Sequence, residues 1–158
     1  MATYEAKFRT NYFRVKNEEA FREFMAKVKA GGFPVNVFER TNDEGTKFFG
    51  FGSENGSIDA IDGYAIDGDE LEDTEAEGVN LQFIVSYEEF LYDKLKEFVA
   101  EDDAVIILTV GNEKLRYVTG DAMIITAKEM RCIDLTHQAM DAASKMLGNP
   151  TWETVCEY

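Results

Sequence analysis

No lysine or arginine falls between Lys47 and Lys94, and the stretch so bounded holds thirteen carboxylates: Glu54, Asp59, Asp62, Asp67, Asp69, Glu70, Glu72, Asp73, Glu75, Glu77, Glu88, Glu89 and Asp93. Residues 1–47 carry nine bases and seven acids and residues 94–158 seven bases and eleven acids, so this one stretch supplies −13 of the formal net charge of −15. A solubilising adaptation scatters acids over every surface, whereas this chain projects a directional field. The shortage of positive charge disfavours contact with phosphate backbones or anionic lipid, which would be repelled instead of releasing counterions. It favours partners with basic surfaces.

Other scarcities narrow the reading further. There are two cysteines, Cys132 and Cys156, too far apart for a close pair, and the expectation is two reduced, buried thiols rather than a disulfide. The single histidine, His137, cannot build a zinc site with two separated cysteines, and nothing near it or Cys132 supplies an orienting Asn or Asp at the spacing that Cys–His nucleophile families use. No apolar run is longer than Ala104 to Val110, far short of the ~20 residues of a spanning helix. Glu5, Lys7 and Arg9 interrupt the first ten residues, which do not resemble a secretory signal. A soluble, cytoplasmic protein is expected.

What is present suffices for a core: 158 residues, 45% hydrophobic and 13% aromatic, a size that buries roughly 70% of the surface of the unfolded chain. Residues 6–16 alternate as a strand, with Phe13 and Val15 on one face and Phe8 and Tyr12 on the other. Asn17 is an N-cap ahead of Glu18 and Glu19, and Phe21, Phe24, Met25 and Val28 repeat at helical spacing until Gly31-Gly32. Val35 to Arg40 and Thr46 to Phe51 read as a hairpin around Asn42-Asp43-Glu44-Gly45. Beyond the acidic segment, Leu81 to Val85 reads as a strand, and Ser86-Tyr-Glu-Glu89 is a capping box opening a helix faced by Tyr87, Phe90, Leu91, Leu95 and Phe98. Ala104 to Val110 is a strand, Gly111-Asn112-Glu113 a turn, Lys114 to Thr119 another strand, and Gly120-Asp121 a hairpin turn into Ala122 to Ala127. A third helix over 135–147, capped by Asp134 or Thr136, points Leu135, Ala139, Ala142, Ala143, Met146 and Leu147 inward; Gly148 and Pro150 stop it, and 151–158 adds a short final strand.

An offset of 70 aligns Phe21 with Leu91, Met25 with Leu95, Val28 with Phe98, Val35 with Val105 and Val37 with Ile107. Two strand-helix-strand-strand units follow, whether by duplication or because shared periodicity aligns any two such units. The expected fold is α+β: one globular domain over 1–158, antiparallel sheet covered by helices, with pseudo-repeat units 6–52 and 80–128, an acidic insertion at 53–79 and a third helix near the C-terminus.

Motifs with chemical content are few. Gly50-Phe-Gly-Ser-Glu-Asn-Gly56 follows a strand, but no Lys-Ser/Thr or helix follows it and the next residues are acidic, so it does not read as a phosphate loop. Asp67-Gly-Asp-Glu-Leu-Glu-Asp73 has the oxygen density of a calcium loop, yet Leu71 and Glu72 fall where a ligand and the turn glycine belong. The charge run itself remains. Duplex DNA carries one charge per ~1.7 Å of axis, so thirteen carboxylates match roughly 22 Å of duplex.

Asn11-Tyr-Phe-Arg-Val-Lys16, Glu19-Ala-Phe21, Asp103-Ala-Val105, the stretch from Val110 to Gly120 and the closing Cys156-Glu-Tyr158 resemble a group of small uncharacterised bacterial proteins of phages, plasmids and conjugative elements. That resemblance implies a setting, in which proteins of mobile elements act by binding host components, and singles out Glu113, Lys114, Arg116 and Tyr117 as a second surface. The expected function is that of a non-enzymatic acidic binding protein, an inhibitor or nucleic-acid mimic acting on a basic, nucleic-acid-handling partner through Asp59, Asp62, Asp67, Asp69, Glu70, Glu72, Asp73, Glu75 and Glu77. No cofactor, no metal, no direct nucleic acid and no membrane enter this expectation. The alternatives are a small-molecule-binding or hydrolytic domain with a pocket between the two units, and a structural homo-oligomer.

Overall fold

The computed structural model describes residues 5–66, 82–84 and 86–154, with the side chains of Gln82, Phe83 and Tyr117 outside the description. The chain is α+β, with a mostly antiparallel sheet and, among the described residues, three helices, the last near the C-terminus. Strands β1 (Glu5–Thr10), β4 (Asn36–Thr41), β5 (Lys47–Ser53), β9 (Val105–Glu113), β10 (Arg116–Ile125) and β11 (Met130–Asp134) form one six-stranded sheet in the order β11-β10-β9-β1-β5-β4. Beside it, β2 (Val28–Ala30) pairs with β3 (Phe33–Pro34) and β6 (Ile58–Ile61), and β7 (Tyr64–Ile66) pairs in parallel with β8 (Gln82–Ile84).

Helices α1 (Glu18–Met25) and α2 (Tyr87–Phe98) lie on one face of the large sheet, where their apolar stripes bury the larger apolar surface of the sheet. On β1, Ala6, Phe8 and Thr10 are buried while Glu5, Lys7 and Arg9 are exposed, the period-two signature of a sheet covered on one side. Phe21, Met25, Leu91 and Leu95 are fully buried against Phe13, Phe49, Phe51 and Val105. Phe21 sits at the centre, its ring 5.7 Å from Phe13, 5.1 Å from Phe49 and 5.8 Å from Phe98. Asn17 and Ser86 cap the two helices as expected, accepting from the backbone N–H groups of Ala20 and Glu89.

Several expectations are corrected. The first strand stops at Thr10, because at Asn11 the side chain is drawn to the start of β9: Nδ2 donates to Ala104 O, and Oδ1 accepts from the Ile106 N–H. Beyond this break Phe13 pairs with Phe49, so Phe8 and Phe13 share one core rather than opposite faces. Helix α1 ends at Met25, and Val28, though buried, belongs to β2; Gly31 and Gly32, at φ +59° and +81°, turn β2 into β3 instead of ending the helix. Gly111-Asn112 and Gly120-Asp121 are not turns. β9 runs on to Glu113, Lys114 turns the chain at φ +55°, and β10 passes through Gly120, where the glycine admits the side chain of Leu135. An unanticipated sixth strand, β11, follows a turn in which Thr126 Oγ1 accepts from the Lys128 and Glu129 N–H groups.

Helix α3 (Leu135–Leu147) has the expected bounds, the Asp134 cap and Gly148 at its C-terminus, but it buries none of its residues. Leu135, Leu147 and Met146 are 63%, 61% and 88% exposed, since the helix lies along β10 on the face away from α1 and α2 and nothing described packs over its apolar stripe. The two repeat units also pair differently: β1 joins the large sheet between β5 and β9, whereas its counterpart β8 pairs with β7. No helix among the described residues is long and apolar enough to cross a membrane. Residues 151–154 form no strand, and 155–158 lie outside the described residues.

Candidate functional site

Of the nine carboxylates expected to contact a partner, Asp59 is exposed on β6 and Asp62 follows it, exposed and paired with Lys29 at 3.2 Å. Asp67, Asp69, Glu70, Glu72, Asp73, Glu75 and Glu77 lie outside the described residues. Some carboxylates elsewhere meet cations: Arg14 bridges Asp102 and Asp103, Lys16 holds Glu101 at 2.8 Å, and Arg22 on α1 reaches Glu39 on β4. The hydrogen bonds from Arg22 and Lys16 hold Glu39 and Glu101 below the ordinary glutamate range. Glu54, Asp59, Glu88, Glu89 and Asp93, by contrast, enter no ion pair among the described residues. They offer uncompensated charge to whatever approaches.

Three of these acids, Glu88, Glu89 and Asp93, rim a cavity of about 570 Å³ between α2 and the β10–β11 pair, with Met123, Met130 and Cys132 on its sheet side. Its lining comes from the second unit and from β11 beyond it, and includes no residue of the first unit. Burial first, then the charge of Asp121, raises the Glu88 carboxyl; burial, Glu88 and Asp121 push the Tyr92 hydroxyl up to about 12. Cys132 is exposed, correcting the expectation of a buried thiol, because it sits on the edge strand β11 and faces the cavity beneath α2 rather than packed side chains. Burial by its neighbours, then Asp121 and Asp134, raise its pKa, the opposite of what an activated nucleophile requires. His137 stands apart on α3, its Nδ1 3.2 Å from Asp134.

The opposite sheet face carries Lys7 and Arg9, with Glu54 beside them. A groove of about 360 Å³ is lined by Lys7, Arg9, Asn36, Phe38, Leu108 and Val110. The Arg9 guanidinium stacks 4.6 Å from the centre of the Phe38 ring. The groove floor is open at Gly52, where a Cβ would stand 2.7 Å from the Phe8 carbonyl oxygen. Glu113, Lys114 and Arg116 lie together at the β9–β10 hairpin beside the 86% exposed Leu115, so the second surface is a single protruding tip; the Tyr117 side chain is outside the description.

Sequence reasoning missed the cavity under α2 because β11 gave no strand signal, and it missed the basic groove because Lys7, Arg9 and Phe38 come together only through strand order. The structure does bring together two segments far apart in sequence: Asn11, Arg14 and Lys16 clasp the stretch from Glu101 to Ile106 through the amide bonds and ion pairs described above. No protein-family model, no curated protein and no solved structure matches the chain.

Proposed function

We propose that this is a non-enzymatic binding protein, an inhibitor or nucleic-acid mimic whose acidic surface engages a basic, nucleic-acid-handling partner. One observation carries the reading: thirteen carboxylates and no Lys or Arg fall between Lys47 and Lys94, and of those described Glu54, Asp59, Glu88, Glu89 and Asp93 enter no ion pair among the described residues. A surplus of carboxylates destabilises a compact chain through self-repulsion, and an approaching basic surface relieves that repulsion. The resemblance to proteins of mobile elements supports a host enzyme as that partner.

The test is capture of bacterial nucleic-acid enzymes on the immobilised protein at ~50 and ~200 mM salt, a range over which screening changes appreciably. The expected result is one enzyme held at low salt, released at high salt and displaced by its own DNA or RNA. Salt-insensitive capture, or capture that nucleic acid does not compete, rejects mimicry.

A second reading, self-association, is favoured by the bare apolar stripe of α3 and by Leu108 and Val110 on the sheet beside it. Sedimentation at rising protein concentration separates the two readings: a constant monomer mass removes the second.

A further inference from the structure

We propose that Met123, Met130 and Cys132 form a binding site for a soft monovalent metal ion, Cu(I), in the cavity under α2. Met123 on β10 stands directly opposite Cys132 on β11, and Met130 lies two residues before Cys132 on the same strand. Directly opposed residues have Cβ atoms about 4.5–5.5 Å apart, and positions i and i+2 share a face, so the three sulfur-bearing side chains rise from one patch. All three line the same cavity.

Packing explains only part of this arrangement. Met123 rests against the core, but Met130 is 42% exposed and Cys132 is exposed, so burial accounts for neither at its position. The ligand class follows from softness: thioethers and a thiolate select Cu(I), whereas harder ions need oxygen and nitrogen donors. Among the described residues no three His, Cys, Asp or Glu side chains are placed to hold a metal together, which leaves zinc without a ligand set here. Glu88, Glu89 and Asp93 rim the cavity and draw a cation towards it without closing over it. On binding, a copper–sulfur bond replaces the S–H bond of Cys132 and the proton passes to solvent. Methionine's three rotatable bonds allow both thioethers to turn onto the ion. The site is independent of the acidic-surface reading, and sequence alone hid it because β11 was not recognisable.

The experiment is an anaerobic Cu(I) titration of the full chain carrying Cys156→Ser, which leaves Cys132 as the only thiol, against bicinchoninate as competing chelator. One equivalent should bind. Cys132→Ser should abolish it, and Met130→Leu and Met123→Leu should each weaken it at least about tenfold, the lower end of what losing even an outer contact costs a metal site. Met140→Leu and Met146→Leu, on α3, should leave it unchanged. Met130→Leu, at an exposed position, keeps the test valid if Met123→Leu perturbs packing. Absence of binding against the chelator, or binding that depends on Cys132 but on neither methionine, overturns the proposal.

Discussion

Asp121 on β10 and Asp134 on β11 stand directly opposite one another, two carboxylates in a single cross-strand pair. They do not share the strain equally. Asp134 caps α3, and the N–H of His137 holds it below the ordinary aspartate range. Asp121, raised by burial and then by Asp134, absorbs the cost, only partly offset by a hydrogen bond with Thr109.

A pH-dependent stability effect follows. Asp121 binds its proton at higher pH in the folded chain than in the unfolded one, so between those two values the folded state holds more protons and stability falls as pH rises. Asp121→Asn removes the penalty. Because Asp121 is largely solvent-exposed, the gain at pH 7 should be only a few tenths of a kcal/mol, the lower range of cross-strand pair effects after screening. The gain should vanish in acid, where both forms are neutral. Urea denaturation of both proteins at neutral and acid pH checks this; a variant less stable than the parent at pH 7 would contradict it.

Asn11→Ala tests the clasp between β1 and β9. The substitution strips a hydrogen-bond acceptor from the Ile106 N–H and a donor from the Ala104 carbonyl, both partly buried. The expected loss is about 1–3 kcal/mol, the cost of leaving such groups unsatisfied. A change within experimental error would mean that water replaces the amide, and the break in the first strand would then need another cause.

The two kinds of apolar helix stripe should behave oppositely. Leu95 on α2 is fully buried, and Leu95→Ala should cost about 2–5 kcal/mol. Met146 on α3 is 88% exposed, and Met146→Gln should shift stability by no more than about 0.5 kcal/mol. Chemical denaturation of dilute protein measures both. A large loss at Met146 would show that something covers α3 in solution, and its dependence on protein concentration would identify a second copy.

This contrast marks the limit of what was legible in the chain. Caps are local, so Asn17, Ser86 and Asp134 announced their helices from a few residues. The apolar period of α3 was equally plain, but periodicity states only that a face exists, not that a partner lies under it. Gly120-Asp121 misled because glycine marks both a turn and a close approach, and here Leu135 of a later helix decides between them. Strand β11, Met-Arg-Cys-Ile-Asp, alternates too weakly to be seen, and with it went the cavity, Cys132 and the two methionines. The grooves are products of strand order, which no local pattern encodes.

The acidic surface can be dissected by two sets of neutralised carboxylates. One set changes Glu54, Asp59, Glu89 and Asp93, which are exposed and in no ion pair among the described residues; the other changes Asp67, Asp69, Glu70, Glu72 and Asp73 of the acidic insertion. Asn and Gln keep the shape and remove the charge, so each set should leave stability unchanged or slightly raised as self-repulsion falls. Partner affinity should drop at ~50 mM salt and much less at ~200 mM, where screening already weakens the attraction. Rim charges act mainly on the rate of encounter, so the association rate should fall further than the dissociation rate rises. If the insertion set alone weakens binding, the contact lies in the insertion; if both do, it extends over α2 and β6. Should both variants bind with the affinity and salt slope of the parent, the carboxylates serve solubility and the mimicry reading is wrong.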